Sequence, residues 1–136
     1  MNTDSLIASL KHHEGMRLRP YKDSVGKLTI GYGHNLDANG IPEWVADALL
    51  QTSIYKYAYD TTRVVPSYHS LTDARQEVLV EMVFNMGPAG LATFKLTLGY
   101  IEAQDWKAAS KEMLDSEWAT QVGNRAKSLS RKFARG

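Results

Sequence analysis

Lys11 to Leu36 reads KHHEGMRLRPYKDSVGKLTIGYGHNL, and its reading decides what kind of chain this is. Two carboxylates, Glu14 and Asp23, lie nine residues apart, and Thr29 follows six residues after the second. Up to Glu14 the apolar residues recur at helical spacing. From Met16 to Tyr32 two strand-like runs flank a polar turn, Asp23-Ser24-Val25-Gly26. Glu14 therefore sits where a helix stops and Asp23 where a hairpin turns. Two acids on different elements, in different surroundings, hold their protons differently. Acid–base cleavage of a glycosidic bond needs such a pair.

Thr3 to His13 reads as a short amphipathic helix, with Thr3 or Asp4 as N-cap and Gly15 just past its end. Leu6, Ile7 and Leu10 form the apolar stripe. Glu14, four residues from Leu10 and seven from Ile7, falls on it. Burial there, and the negative end of the helix dipole, both favour a protonated acid able to donate near neutral pH. The plain alternative is a solvated glutamate at a helix end.

Met16–Lys22 and Lys27–Tyr32 are the two expected strands, and Pro20 suits an edge strand because it has no N–H to give. Asp23, in a wet turn beside Lys22 and Lys27, is expected to be ionised. Thr29 is an ordinary strand residue. Read functionally, its hydroxyl and Asp23 hold a water between them. Gly31-Tyr32-Gly33 bends the chain before His34. It is not a dinucleotide fingerprint, since no third glycine follows at the required spacing.

After His34, Asn35 to Gly40 is turn-rich, and Pro42 fits the first turn of a long helix to about Val64. Pro66 breaks the chain. Ser70-Leu71-Thr72-Asp73 fits a capping box for a central buried helix over about 72–86, ended by Gly87-Pro88. Three shorter helices are expected at about 92–103, 105–118 and 124–135, with Asp105 capping the second. The strands lie in one early hairpin and the rest is helix, which is an α+β chain. A small β-containing lobe over about 14–41 and a helical lobe over about 66–136, with the N-terminal helix, would be joined by the long helix. The cleft between two such lobes is a usual place for a ligand.

Composition narrows the chemistry. At 136 residues this is one domain by length, and 43% hydrophobic with 23% charged residues is ordinary globular composition. With no cysteine, disulfides, thiol nucleophiles and cysteine–zinc sites are excluded. His12-His13-Glu14 is not a metal site, because adjacent helical side chains diverge; no metal and no cofactor are expected. The N-terminus lacks the basic and apolar regions of a signal peptide, and no stretch approaches the roughly 20 apolar residues of a bilayer span. The net charge of +1 is uneven. Arg125, Lys127, Arg131, Lys132 and Arg135 fall after residue 119 with no acid among them. That end could attract an anionic polymer, although a solvated helix face is the bland reading. It lacks the aromatic interleaving of a nucleic-acid site, so no nucleic-acid partner is expected.

The pattern Glu14-Gly15, Tyr21-Lys22-Asp23, Gly26 and Leu28-Thr29-Ile30-Gly31-Tyr32-Gly33-His34 resembles the T4-type phage lysozymes, the endolysins of glycoside hydrolase family 24. Glu81-Met82-Val83-Phe84-Asn85-Met86-Gly87 and Asn124-Arg125-Ala126-Lys127 resemble that family's later motifs, in the same order. The resemblance implies a two-lobed lysozyme-like fold with peptidoglycan across the cleft; a monomer with no stable membrane insertion is expected. The resemblance also implies hydrolysis of the β-1,4 bond between N-acetylmuramic acid and N-acetylglucosamine, with inversion. The roles it implies are Glu14 as acid, Asp23 as base or charge stabiliser, and Thr29 as the residue that positions water. His34, Leu36, Phe84 and Asn85 would line or support the cleft, and Arg125 would face Glu14. An endolysin without a signal peptide would wait in the host cytoplasm; a virion-associated lysin is the other location. An inactive wall-binding homologue is the alternative function. Compared with longer members, the segment before the central helix is short and the chain stops at Gly136 without a Trp-containing tail.

Overall fold

The turn at Asp23 folds the chain back on itself, as its residues dictate. Gly26 N–H donates to the Asp23 carbonyl at 3.0 Å, with Gly26 at φ +82°, a conformation that glycine adopts without steric cost. The strands it joins are β1 (Arg17–Lys22) and β2 (Leu28–Gly31), and a third, β3 (His34–Asn35), adds to the far side of β2. The sheet is antiparallel in the order β1-β2-β3. Pro20 accordingly lies on an edge strand, and the β1–β2 register slips between Arg17 and Tyr21, around it. The third strand was not foreseen. It is two residues long, too short for a period-two pattern to declare.

The computed structural model describes all 136 residues, and they cluster into two units, Met1–Ala48 and Leu49–Gly136. The first unit begins with α1 (Thr3–Glu14). Its N-cap is Asn2, whose Oδ1 accepts from Ser5 N–H at 3.0 Å, one residue earlier than expected. Gly15 ends the helix, donating to the Lys11 carbonyl. The turn-rich stretch after β3 is a single helical turn, α2 (Leu36–Asn39), capped by Asn35 and closed at Gly40. The long helix α3 (Glu43–Val64) follows, with the Pro42 carbonyl accepting from Val45 and Ala46.

The second unit is helical. A 3-10 turn at Tyr68–Ser70 leads into α4 (Asp73–Ala92). Thr72, not Ser70, is the cap: its hydroxyl accepts from Arg75 N–H, while Ser70 Oγ donates to the Ser67 carbonyl within the turn. At Gly87 the backbone leaves helical geometry (φ 78°, ψ 166°), and Pro88 restarts the helix at once. Proline disfavours helical conformation in the residue before it, and glycine adopts the left-handed φ found here without steric cost. The helix therefore kinks where the sequence reading ends it. The remaining helices are α5 (Lys95–Glu102), α6 (Trp106–Leu114), α7 (Glu117–Val122) and α8 (Asn124–Arg135). Asp105 caps α6 as expected. The single helix expected over 105–118 is instead broken at Asp115-Ser116, where Ser116 accepts from Ala119 N–H and starts α7.

The core of this unit is built on α4. Val78, Leu79, Met82 and Val83 are fully buried against Leu91, Ile101, Met113 and Phe133. Arg75 is buried with them. It donates to the carbonyls of Phe133 (3.0 Å) and Ala134 (3.3 Å) and lies 4.0 Å above the Trp106 ring. A cation is well placed there, because the carbonyl end of α8 is the negative end of its dipole. Burial alone lowers the guanidinium pKa below its usual value. No helix is long and apolar enough to cross a membrane.

Candidate active site

Asp23 and Thr29 are anchored to the same residue. Asp23 Oδ1 accepts from the N–H groups of Val25 (3.0 Å) and Lys27 (2.8 Å), and Thr29 Oγ1 donates to the Lys27 carbonyl at 2.9 Å. Asp23 N–H also donates to that carbonyl, at 2.9 Å. One peptide residue thus fixes both side chains. Asp23 is half-buried, and its Oδ2 has no partner within the protein. The Thr29 side chain is buried, and its proton is committed to Lys27, so only its lone pairs can meet another molecule. Lys27 contributes backbone atoms alone, which no reading of side-chain types could find.

Glu14 closes α1 and is exposed. The expected burial of its helix stripe is not found. Leu6, Ile7 and Leu10 are 43%, 44% and 47% exposed, because no element of the first unit packs across them. The carboxylate instead leans over Gly33. A Cβ at that position would come 2.9 Å from Glu14 Oε2 and 3.3 Å from its Cδ. Gly33 also stands at φ +77°, where a side chain is strained. Gly33→Ala is therefore expected to lower stability by about 1–3 kcal/mol. It should also displace Glu14 and reduce kcat/KM by roughly 10²-fold, since a shift of about 1 Å suffices for that. Melting curves and kcat/KM on peptidoglycan check this; unchanged turnover would show that the clearance has no bearing on Glu14.

The strand β3 and α2 brace this region. Asn35 faces Thr29 across the ladder and caps α2 by accepting from Ala38 N–H at 2.9 Å. Asp37 accepts from Leu28 N–H at 2.7 Å, tying α2 to β2. His34 Nε2 donates to the Gly40 carbonyl, and Leu36 opens α2. Asn35 and Asp37 were not singled out from the sequence. The signal for them was present, as an asparagine cap four residues before Asn39-Gly40.

In the second unit Phe84 and Arg125 line one groove of about 490 Å³, with Leu50, Ile54, Tyr68 and Val80 along it. Phe84 is 44% exposed and edge-on to Tyr57 at 5.5 Å, so it is not plain core. Arg125 grips Glu81, with Nη2 at 2.8 Å and Nε at 3.1 Å from the same oxygen. Asn85 is turned elsewhere: its Oδ1 accepts from Trp118 Nε1–H at 3.0 Å. The sequence reading gives Glu81 only as part of a motif and gives Trp118 no role, so neither is expected there as a partner.

The phage lysozyme family model matches residues 11–135. A probable T4-type lysozyme of Dictyostelium discoideum is 30% identical over 151 residues, covering 90% of this chain and 89% of its own. An endolysin of Acyrthosiphon pisum secondary endosymbiont phage 1 is 31% identical over 124 residues, 88% of this chain and 82% of the relative. The pre-baseplate central spike protein Gp5 of Enterobacteria phage T4 is 29% identical over 150 residues, matching 90% of this chain but 26% of that longer protein. The hairpin carrying Asp23 and Thr29, the helix end carrying Glu14 and the helical segment with Phe84 and Arg125 all fall within the matched span. This chain belongs to the phage lysozyme family, the T4-type glycoside hydrolases of peptidoglycan.

Proposed function

We propose that the protein hydrolyses the β-1,4 bond between N-acetylmuramic acid and N-acetylglucosamine by direct attack of water, with inversion, and so lyses the bacterial cell. Glu14 gives its proton to the leaving glycosidic oxygen. Asp23 takes a proton from the attacking water, and Thr29 orients that water. Phe84 and Arg125, with His34, Leu36 and Asn85, contact or support the glycan. The enzyme acts as a free endolysin, released to the wall from inside the host.

The observation that carries this reading is the shared anchor at Lys27. Asp23 offers a free Oδ2, and the Thr29 hydroxyl has only lone pairs to offer. A water that donates one hydrogen to each keeps its own lone pair for the anomeric carbon. A threonine so placed has no use in a direct attack by Asp23. Inverting glycosidases hold their carboxyl groups about 6.5–9.5 Å apart to admit this water, while retaining enzymes bring them to about 5–5.5 Å. The product should therefore be the α-anomer. Proton NMR of fresh product, read before mutarotation, checks it. A β-anomer, or a sugar ester trapped on Asp23, would overturn the water-mediated mechanism.

A further inference from the structure

The two flanks of α8 carry cations in different situations. On one flank Arg125 and Lys132 are paired with Glu81 and Glu77 of α4. On the other, α8 packs antiparallel to α6: Phe133 lies 6.1 Å from Trp106, and Ser130 Oγ donates to the Ser110 carbonyl at 2.8 Å. Helical periodicity then fixes what stands along the outer seam of this pair. Lys127 and Arg131 flank Ser130, and Arg135 continues their row. Lys107 and Lys111 flank Ser110 in the same way. All five are exposed, and none is in an ion pair. The acids near α6 face elsewhere. Asp105 caps the helix, while Glu112 and Asp115 line a groove with Trp118 and Thr97. Residues of α8 itself include no acid.

We propose that this seam is a docking surface for a phosphodiester polymer of the bacterial envelope, of the poly(glycerol phosphate) kind. That the polymer belongs to the envelope rests on the wall-hydrolase reading; the surface itself rests on the charge row. Lys127, Arg131 and Arg135 recur every four residues, about 6 Å apart along the helix axis. Such a row matches a chain that repeats its charge at every unit better than the sparse carboxylates of wall peptides. Two of the three are arginines, whose forked donors fit phosphate oxygens. A lipid surface is the poorer partner. A helix that lies in a bilayer interface inserts its apolar face, and in α8 that face, Ala126, Leu129 and Phe133, is buried in the core. The seam also exposes no aromatic side chain on which bases would stack.

The test is binding of fluorescently labelled poly(glycerol phosphate) to the intact protein across a range of sodium chloride, for the wild type and for Lys107→Gln/Lys127→Gln/Arg131→Gln. The wild type should bind, with log affinity falling linearly against log salt. The triple variant should lose at least about tenfold in affinity, with the salt slope shallower by about one per removed cation. Its melting temperature and its turnover of a short soluble wall fragment should stay unchanged. No wild-type binding, equal binding by the variant, or equal or tighter binding to phosphatidylglycerol vesicles or duplex DNA would each overturn the proposal. Binding is read without hydrolysis. A protein that binds the polymer and cleaves no glycan would refute the hydrolase reading and leave the surface standing.

Discussion

Glu14→Gln should reduce kcat/KM on peptidoglycan by about 10²–10⁴-fold, the usual share of a general acid, and leave the fold in place. The side chain closes α1 in an exposed position and forms no ion pair, so the neutral amide breaks nothing. Gln has the same length and meets the same clearance over Gly33. What it lacks is a proton acidic enough to give to a departing sugar oxygen. Stability should therefore stay within about 0.5 kcal/mol of the wild type. Thermal melts and initial rates on purified peptidoglycan, run side by side, read both quantities. Near-wild-type turnover would remove Glu14 from the mechanism.

Phe133→Ala has the opposite signature, a large loss of stability with the chemistry untouched. Phe133 is fully buried at the end of α8, edge-on to Trp106 at 6.1 Å and 5.8 Å from the Arg75 guanidinium. Three elements meet on this ring: α4 through Arg75, α6 through Trp106 and α8 itself. The hydrogen bond from Arg75 goes to the backbone carbonyl of residue 133 and survives the change. The ring does not, and the surrounding helices close only partly over the space it leaves. The expected cost is about 3–5 kcal/mol. For a chain of this size that is roughly 10–15 °C in melting temperature. Activity per folded molecule, measured well below the transition, should be unchanged. A shift of only two or three degrees would mean that α6 and α8 do not depend on this contact.

The hairpin was legible because its signals are local. The chemistry of Asp23-Ser24-Val25-Gly26 specifies a turn, and Pro20 specifies an edge. The break between α6 and α7 was not. Apolar spacing runs on through it, and Ser116 reads as a neutral helix residue until its hydroxyl is seen capping Ala119. The burial of Glu14 failed for a different reason. Periodicity says which residues share a face, and it does not say whether anything packs on that face. At the candidate site the proposed side chains, Glu14, Asp23 and Thr29, are named from residue type and spacing. Their supports could not be, since Lys27 acts through its backbone and Gly33 through the room it leaves. The ion pair of Arg125 with Glu81 spans 44 residues of sequence, a choice of partner that only tertiary packing makes.

The chemical identity of the ends created in peptidoglycan tests the proposed reaction most directly. Purified wall is digested and reduced with borohydride, and the released muropeptides are identified intact by mass spectrometry. The expected result is N-acetylmuramitol at the new ends, rising with time for the wild type and at least about 10²-fold more slowly for Glu14→Gln. Reduced N-acetylglucosamine, 1,6-anhydro ends or no new ends at all would contradict hydrolysis of the muramic acid linkage by this chain.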